Sequence, residues 1–157
     1  MFSLLLRNLL FTILQPGLVA GLVPYLILRW QGRSLVPEKM GVLEAAALVT
    51  GAVGSMIMIA CILRFAYEGK GTLSPLDPTK RLVVRGLYLY SRNPMYVGLM
   101  MILISEAVFW RSLSLAVYAG VVFIGLNLFI TIHEEPRLHR EFGKEFTDYR
   151  SSVRRWL

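Results

Sequence analysis

The stretch RLVVRGLYLYSRNPMYVG (residues 81–98) connects a charged segment directly to an apolar run. Arginines, a glycine and tyrosines precede Arg92-Asn93-Pro94, and the apolar run starts at Met95. Polar side chains at the mouth of a membrane span are costly to keep there and usually have a function. We therefore interpret this stretch as the wall of a binding site at a membrane surface.

The composition indicates an integral membrane protein. Of 157 residues, 55% are hydrophobic and only 17% are charged. In soluble domains about 45–50% of the residues are apolar and about 25% are charged. The net charge of +7 arises from lysines and arginines that flank apolar runs, so anionic lipid headgroups are the expected partner rather than nucleic acid. The single cysteine, Cys61, excludes an internal disulfide and a multi-cysteine metal site, and we predict no metal.

Four apolar runs predict about four transmembrane helices, because about 20 residues cross the hydrocarbon core. They cover residues 4–28, 42–65, 95–110 and 113–132. Only Arg111-Ser112 separates the last two runs, which predicts a helical hairpin. Ala47, Gly51 and Ser55 share one face of the second run and predict close packing against the first, whereas Glu44 is expected to be solvated.

Two polar segments complete the chain. Residues 64–91 contain turn-forming glycines and prolines, and residues 133–157 carry apolar side chains at helical spacing between charges. The second segment therefore predicts an amphipathic tail helix on the membrane surface or under the spans, with a break at Phe142-Gly143. Thirteen lysines and arginines lie on the side of both segments and four on the other, which predicts cytoplasmic termini and a cytoplasmic site.

The hairpin should bring the entry of the third span beside Glu134-Glu135 at the exit of the fourth. Arg92 and Glu134 are then expected to meet across a small cavity. A carboxylate, an arginine and tyrosine faces suit a zwitterionic ligand with an ammonium, a carboxylate and an aromatic or sulfonium group. The alternative is an interfacial ring of these side chains that only anchors the helices.

Two separated motifs resemble the isoprenylcysteine carboxyl methyltransferase family, membrane methyltransferases related to the phospholipid N-methyltransferases. The first motif contains Leu82, Val83, Gly86, Tyr88, Arg92, Asn93, Pro94, Tyr96 and Gly98. The second contains Glu134, Glu135, Leu138, Phe142, Gly143, Phe146, Tyr149, Val153 and Arg155. The resemblance covers residues 65–155 and implies two parts, a transmembrane helix pair over residues 1–63 and a methyltransferase core over residues 64–157.

The resemblance implies S-adenosylmethionine as the cofactor, bound on the cytoplasmic side and closed over by the tail. The residues implied to bind it are Lys80, Arg81, Leu82, Val83, Tyr88, Asn93, Pro94, Met95, Tyr96 and Glu134. We expect Arg92 and Glu135 to act in catalysis. If the acceptor is an amine, Glu135 or His133 is the candidate to accept its proton.

The acceptor itself stays open. The family's prenylcysteine enzymes have histidine where this chain has Asn93 and an arginine where it has Ile130. We expect a lipid or lipophilic small molecule that enters from the bilayer and is methylated on a carboxylate, an amine or a thiol. The alternative from another class is a non-catalytic membrane scaffold that keeps the fold; a transporter is disfavoured because internal repeats and intramembrane charges are lacking.

Overall fold

The structure is a computed structural model that describes residues 16–35, 40–68, 82 and 84–157. All regular secondary structure in these residues is helical, without strands, as the sequence predicts. A π-helical turn, Leu18–Leu22, precedes the first α-helix, a 3₁₀ turn covers Gly86–Leu89, and a second π turn covers Ile130–Glu134. The α-helices are α1 (Val23–Trp30), α2 (Val42–Glu68), α3 (Pro94–Phe109), α4 (Leu113–Phe129), α5 (Glu135–Phe142) and α6 (Lys144–Ser152).

Two of the described helices are long and apolar enough to cross a membrane. One covers Val42–Arg64, and the other runs without a break over Leu113–Phe142, through α4, the second π turn and α5. Leu18–Trp30 and α3 are apolar but shorter. Only 17% of the residues in each long apolar window are buried, so most of their apolar side chains face outward, as a bilayer favours. Four crossings stay a prediction.

Helices α2 and α3 approach each other through glycine. A Cβ atom built on Gly54 would lie 2.7 Å from the Gly98 carbonyl oxygen, and one on Gly98 would lie 2.7 Å from the Gly54 oxygen. A Cβ atom on Gly51 would lie 2.7 Å from the side-chain hydroxyl oxygen of Ser105 on α3. Gly51, which belongs to the small-residue face predicted to pack against the first span, therefore packs against α3 instead, while residues 1–15 of that span lie outside the described residues. Periodicity marks the face that packs closely, but it does not name the helix that packs against it.

A tight turn joins α3 to α4, which confirms the predicted hairpin. Arg111 adopts a positive φ of 45° in this turn, and Ser112 caps α4 by accepting from the Leu115 amide. The Arg111 side chain reaches Glu44, with Nη2 2.7 Å from Oε1. Glu44 is only 3% exposed, so the prediction that it is solvated is wrong. Its other oxygen accepts from the Gly41 amide at the start of α2, which fixes this carboxylate as a cap and an ion-pair partner.

The tail folds back under the hairpin. Gly143 has a φ of +52°, a conformation that favours glycine, and it separates α5 from α6 at the predicted break. After α6 the chain returns toward the start of α3, where the Arg92 amide donates to the Arg154 carbonyl at 2.9 Å. The tail thus lies against the entry of α3.

Candidate functional site

The residues at the start of α3 favour an abrupt beginning of the helix. Pro94 stands in the first turn, where its missing N–H costs no intrahelical hydrogen bond. Asn93 occupies the N-cap but makes no side-chain cap; its Nδ2 donates instead to the Arg155 carbonyl at 3.1 Å. The Ser91 hydroxyl accepts from the Asn93 amide at 3.1 Å. Asn93 is buried, and its amide group binds the tail.

Tyr96 and Glu134 meet at the end of the hairpin. The Tyr96 hydroxyl donates to Glu134 Oε2 at 3.4 Å, a long hydrogen bond across 38 positions of sequence. Tyr88 lies beside them and is 7% exposed. Burial raises the pKa of the Tyr88 hydroxyl, and the nearby Cys61 and Glu134 raise it further, so it stays neutral. The structure therefore brings together three of the residues predicted to bind the cofactor.

Arg92 pairs with Glu135 rather than with Glu134. Its Nη1 lies 3.0 Å from Glu135 Oε1, an ion pair at an angle unfavourable for a hydrogen bond. The expected meeting of Arg92 and Glu134 is therefore wrong. Successive helical residues point about 100° apart, so Glu134 turns toward Tyr96 while Glu135 turns toward the tail. Burial lowers the pKa of the Arg92 guanidinium and the charge of Glu135 raises it.

Glu135 is the centre of a cluster of arginines. Arg155 donates to it twice, from Nε to Oε1 at 2.9 Å and from Nη2 to Oε2 at 3.0 Å. Arg150 lies 3.9 Å away. Two charge-assisted hydrogen bonds and the neighbouring guanidinium groups hold this carboxylate in one orientation. Its predicted catalytic role stays untested, and these contacts favour a positioning role.

The tail also covers the 3₁₀ turn. The Tyr149 hydroxyl of α6 donates to the Tyr88 carbonyl at 2.7 Å, and Phe146 of the same helix is 1% exposed. Burial raises the pKa of Tyr149 to about 12, although Arg92 opposes this shift. The neutral hydroxyl therefore remains a donor at physiological pH. No role is predicted for Tyr149 or Arg155 from the sequence, and their place in the second motif is the only signal for them.

Three buried donors in this region make no hydrogen bond to any residue that the structure describes. They are Nε and Nη1 of Arg92 and Nε of Arg137, the last 3.9 Å from Glu141 Oε1. Buried polar atoms are nearly always satisfied in folded proteins, so such donors are suited to a ligand. Arg137 lies one helical turn after Glu134, which places a donor near the Tyr96–Glu134 pair.

Some of the remaining predicted residues are described by the structure, and others are not. Met95 packs against the buried pair Cys61 and Tyr88, Pro94 is buried, and Leu82 is half-buried. His133 is exposed, with its ring stacked on Phe129 at 5.8 Å between centroids. Outside the described residues lie Lys80, Arg81 and Val83.

Arg64 lies near the end of α2 and is a neighbour of the site. From the sequence it is predicted only as one of the positive charges on the cytoplasmic side. Its guanidinium lies over Gly86, where a Cβ atom would come within 2.5 Å of the Arg64 Cζ. Gly86 also has a φ of +62°. Glycine is therefore needed at this point both for the turn and for the close approach of the cation.

The long apolar helices, and a polar site at the end of a helical hairpin, define the class as an integral membrane protein. Residues 42–145 match the family model for phospholipid methyltransferases, which is more than half of the chain. The chain therefore belongs to the phospholipid methyltransferase family, a family of membrane methyltransferases, and the resemblance given by the two motifs is confirmed.

Two further comparisons add little about function. An uncharacterized protein of Haemophilus influenzae is 39% identical over 64 residues, which are 40% of this chain and all of that protein. No solved structure matches the chain.

Proposed function

We propose that this protein is an S-adenosylmethionine-dependent methyltransferase that acts on a lipid or lipophilic acceptor. The observation that supports this most is the Tyr96–Glu134 hydrogen bond beside the buried Tyr88, in a chain of the phospholipid methyltransferase family. The acceptor group, whether a carboxylate, an amine or a thiol, stays open.

The residues present fit such a cofactor. Glu134 is suited to its ammonium group, and the unsatisfied Nε donors of Arg92 and Arg137 are suited to its carboxylate. The ring of Tyr88 offers an aromatic face beside Glu134. We propose that the other residues predicted from the motifs line the same site: Lys80, Arg81, Leu82, Val83, Asn93, Pro94 and Met95.

When bound, the cofactor supplies a methyl group on a cationic sulfur, which a nucleophile can displace in line. The protein's task is then to align donor and acceptor and to exclude water, rather than to create a nucleophile. Arg92 is held by Glu135, and Glu135 by Arg155, so the arginine that faces the site is fixed by the tail. The hydrogen bond from Tyr149 to the Tyr88 carbonyl holds the tail over the same side of the proposed cofactor site.

We further propose a cytoplasmic site, with the termini on the same side, because most of the lysines and arginines flank that face. The proposed partners are anionic membrane lipids and an acceptor that enters sideways from the bilayer. Nucleic acid is not among them.

Calorimetry of the purified protein in nanodiscs with S-adenosylmethionine tests the proposal. We expect Glu134→Gln to raise the dissociation constant about tenfold or more, since a hydrogen bond to a charged group contributes about 1.5–3 kcal/mol. Glu145→Gln removes the same charge from an exposed position at the start of α6 and should leave binding unchanged.

Two outcomes would contradict different parts of the proposal. Absence of binding to the folded wild-type protein would refute the methyltransferase proposal and favour the scaffold alternative. Equal binding by Glu134→Gln and wild type would refute the placement of the site and leave the activity standing.

A further inference from the structure

An open apolar groove of about 680 Å³ runs between α3 and α4. Met101, Ile104 and Val108 line it from α3, Gly120 and Phe123 from α4, and Trp156 from the tail. Every lining side chain is apolar apart from the indole N–H of Trp156, which donates to Asn127 Oδ1 at 3.1 Å. The groove therefore offers a ligand no unpaired polar side chain.

Small residues of α4 keep the groove open. Ala116, Ala119 and Gly120 all line it, and a Cβ atom on Gly120 would have no described atom within 4 Å. Gly125, further along α4, is equally free of neighbours but does not line the groove. Substitutions at Gly120 and Gly125 can therefore be compared: both change a glycine in a helix, but only the one at Gly120 fills the groove.

The length of the groove matches one leaflet of a bilayer. Val97 and Val108, both lining residues of α3, are eleven residues apart, which corresponds to roughly 16 Å at about 1.5 Å per residue. The hydrocarbon core of a bilayer is about 30 Å thick. A single extended hydrocarbon chain of one leaflet therefore has the right length to fill the groove.

One end of the groove adjoins the candidate site. Val97 directly follows Tyr96, which binds Glu134, and Trp156 directly follows Arg155, which binds Glu135. The Trp156 ring packs with its centroid 5.0 Å from that of Phe123, and both rings line the groove. A lipid chain lying in the groove would thus bring its headgroup to the side of the hairpin that carries Tyr96, Glu134 and Arg92.

We propose that this groove holds one acyl chain of the lipid acceptor, with the headgroup at the methyl-transfer site. The proposal rests on the proposed function and adds to it the place where the acceptor is held. Van der Waals packing along the groove supplies the binding, because an acyl chain that enters from the bilayer is already in an apolar medium. The acceptor is then selected by an acyl chain as well as by its reactive group.

Photo-crosslinking tests the groove without relying on methyl transfer. The full-length protein is reconstituted in phosphatidylglycerol nanodiscs that contain a trace of phosphatidylethanolamine with a diazirine on one acyl chain. Irradiation should label peptides of α3 and α4 that line the groove, and unlabelled phosphatidylethanolamine should compete. We expect Gly120→Leu to reduce this competed labelling about tenfold, because the leucine side chain would occupy the groove and overpacking costs about 1–3 kcal/mol.

Gly125→Leu is the matched control and should retain the labelling. Ala116→Leu fills the groove from the preceding turn and repeats the test if Gly120→Leu does not fold. Equal labelling in wild type, Gly120→Leu and Ala116→Leu would overturn the proposal. So would a dimer that both substitutions dissociate, because the groove would then hold a second copy of the chain.

Calorimetry with S-adenosylmethionine on the same samples separates this proposal from the proposed function. Cofactor binding without competed labelling of the groove overturns the acyl-chain site alone. Competed labelling in a folded protein that does not bind the cofactor overturns the methyltransferase proposal, and with it the identification of the bound lipid as a methyl acceptor.

Discussion

The guanidinium of Arg155 holds the buried carboxylate of Glu135 through two hydrogen bonds, of 2.9 and 3.0 Å. This contact joins the last residues of the tail to the start of α5. The backbone strengthens it, since the Arg154 carbonyl accepts from the Arg92 amide and the Arg155 carbonyl from the Asn93 side chain. The tail, the entry of α3 and the exit of α4 therefore form one unit around Glu135.

Arg155→Met should loosen the tail. The substitution removes both hydrogen bonds to Glu135, and because the Arg155 side chain is 29% exposed we expect a loss of only about 1–2 kcal/mol in unfolding free energy. Thermal unfolding in detergent and the rate of tail cleavage by a protease measure the effect. Arg154→Met should leave both unchanged, because Arg154 is exposed and only its carbonyl is used. Equal cleavage of both variants would contradict the role of Arg155.

Glu135→Gln should be more damaging than Arg155→Met. It leaves the guanidinium of Arg92, whose side chain is 11% exposed, without a counter-charge, which typically costs about 3–5 kcal/mol for a fully buried pair. We expect a larger drop in the unfolding midpoint, measured on the same detergent samples. If Glu135→Gln keeps full stability but abolishes methyl transfer, the carboxylate is catalytic rather than positioning.

The sequence predicts that the entry of α3 and the exit of α4 lie side by side, because a two-residue turn joins the two helices. It predicts the wrong carboxylate as the partner of Arg92, Glu134 instead of Glu135. That choice depends on the helical phase at the end of α4, which the π turn over Ile130–Glu134 shifts. The contact of Arg155 with Glu135 likewise depends on the return path of the chain after α6, which no periodic pattern encodes.

Gly86→Ala should disturb the 3₁₀ turn next to Tyr88. The new methyl group would lie 2.5 Å from the Arg64 Cζ, and the φ of +62° costs about 1–2 kcal/mol for a residue with a Cβ. We expect a lower unfolding midpoint together with weaker binding of S-adenosylmethionine, measured by thermal unfolding and calorimetry. Gly125→Ala lies in open space on a helix and should be neutral or slightly stabilising. A neutral Gly86→Ala would show that Arg64 does not hold this position.

Tyr149→Phe tests whether the tail closes the site. The variant keeps the buried ring but loses the 2.7 Å hydrogen bond to the Tyr88 carbonyl, which leaves a buried acceptor unsatisfied at a cost of about 1–3 kcal/mol. We expect faster hydrogen exchange in the Gly86–Leu89 turn and a higher dissociation constant for S-adenosylmethionine. Tyr90→Phe is the control, since Tyr90 is 74% exposed. Unchanged exchange in Tyr149→Phe would show that the tail does not stabilise the turn.

Small-residue patterns show where prediction from sequence ends. Gly17 and Gly21 form a GxxxG pair, yet a Cβ atom on either would have nothing within 4 Å among the described residues. Gly54 and Gly98 lie on different helices, and each stands against the other's backbone where α2 and α3 pack. A small-residue pattern in one helix permits close packing of a second helix. The two backbones come into contact where the second helix also has a glycine at the crossing point.

Gly98→Ala should therefore destabilise the protein far more than Gly21→Ala. A methyl group on Gly98 would lie 2.7 Å from the Gly54 carbonyl oxygen, and backbone atoms cannot move aside as a flexible side chain can. Overpacking of this kind typically costs about 1–3 kcal/mol, whereas the methyl group of Gly21→Ala would contact no atom of the described residues. Unfolding in mixed micelles of increasing detergent strength measures both variants. Equal stability of the two would mean that α2 and α3 are not in backbone contact at Gly54 and Gly98.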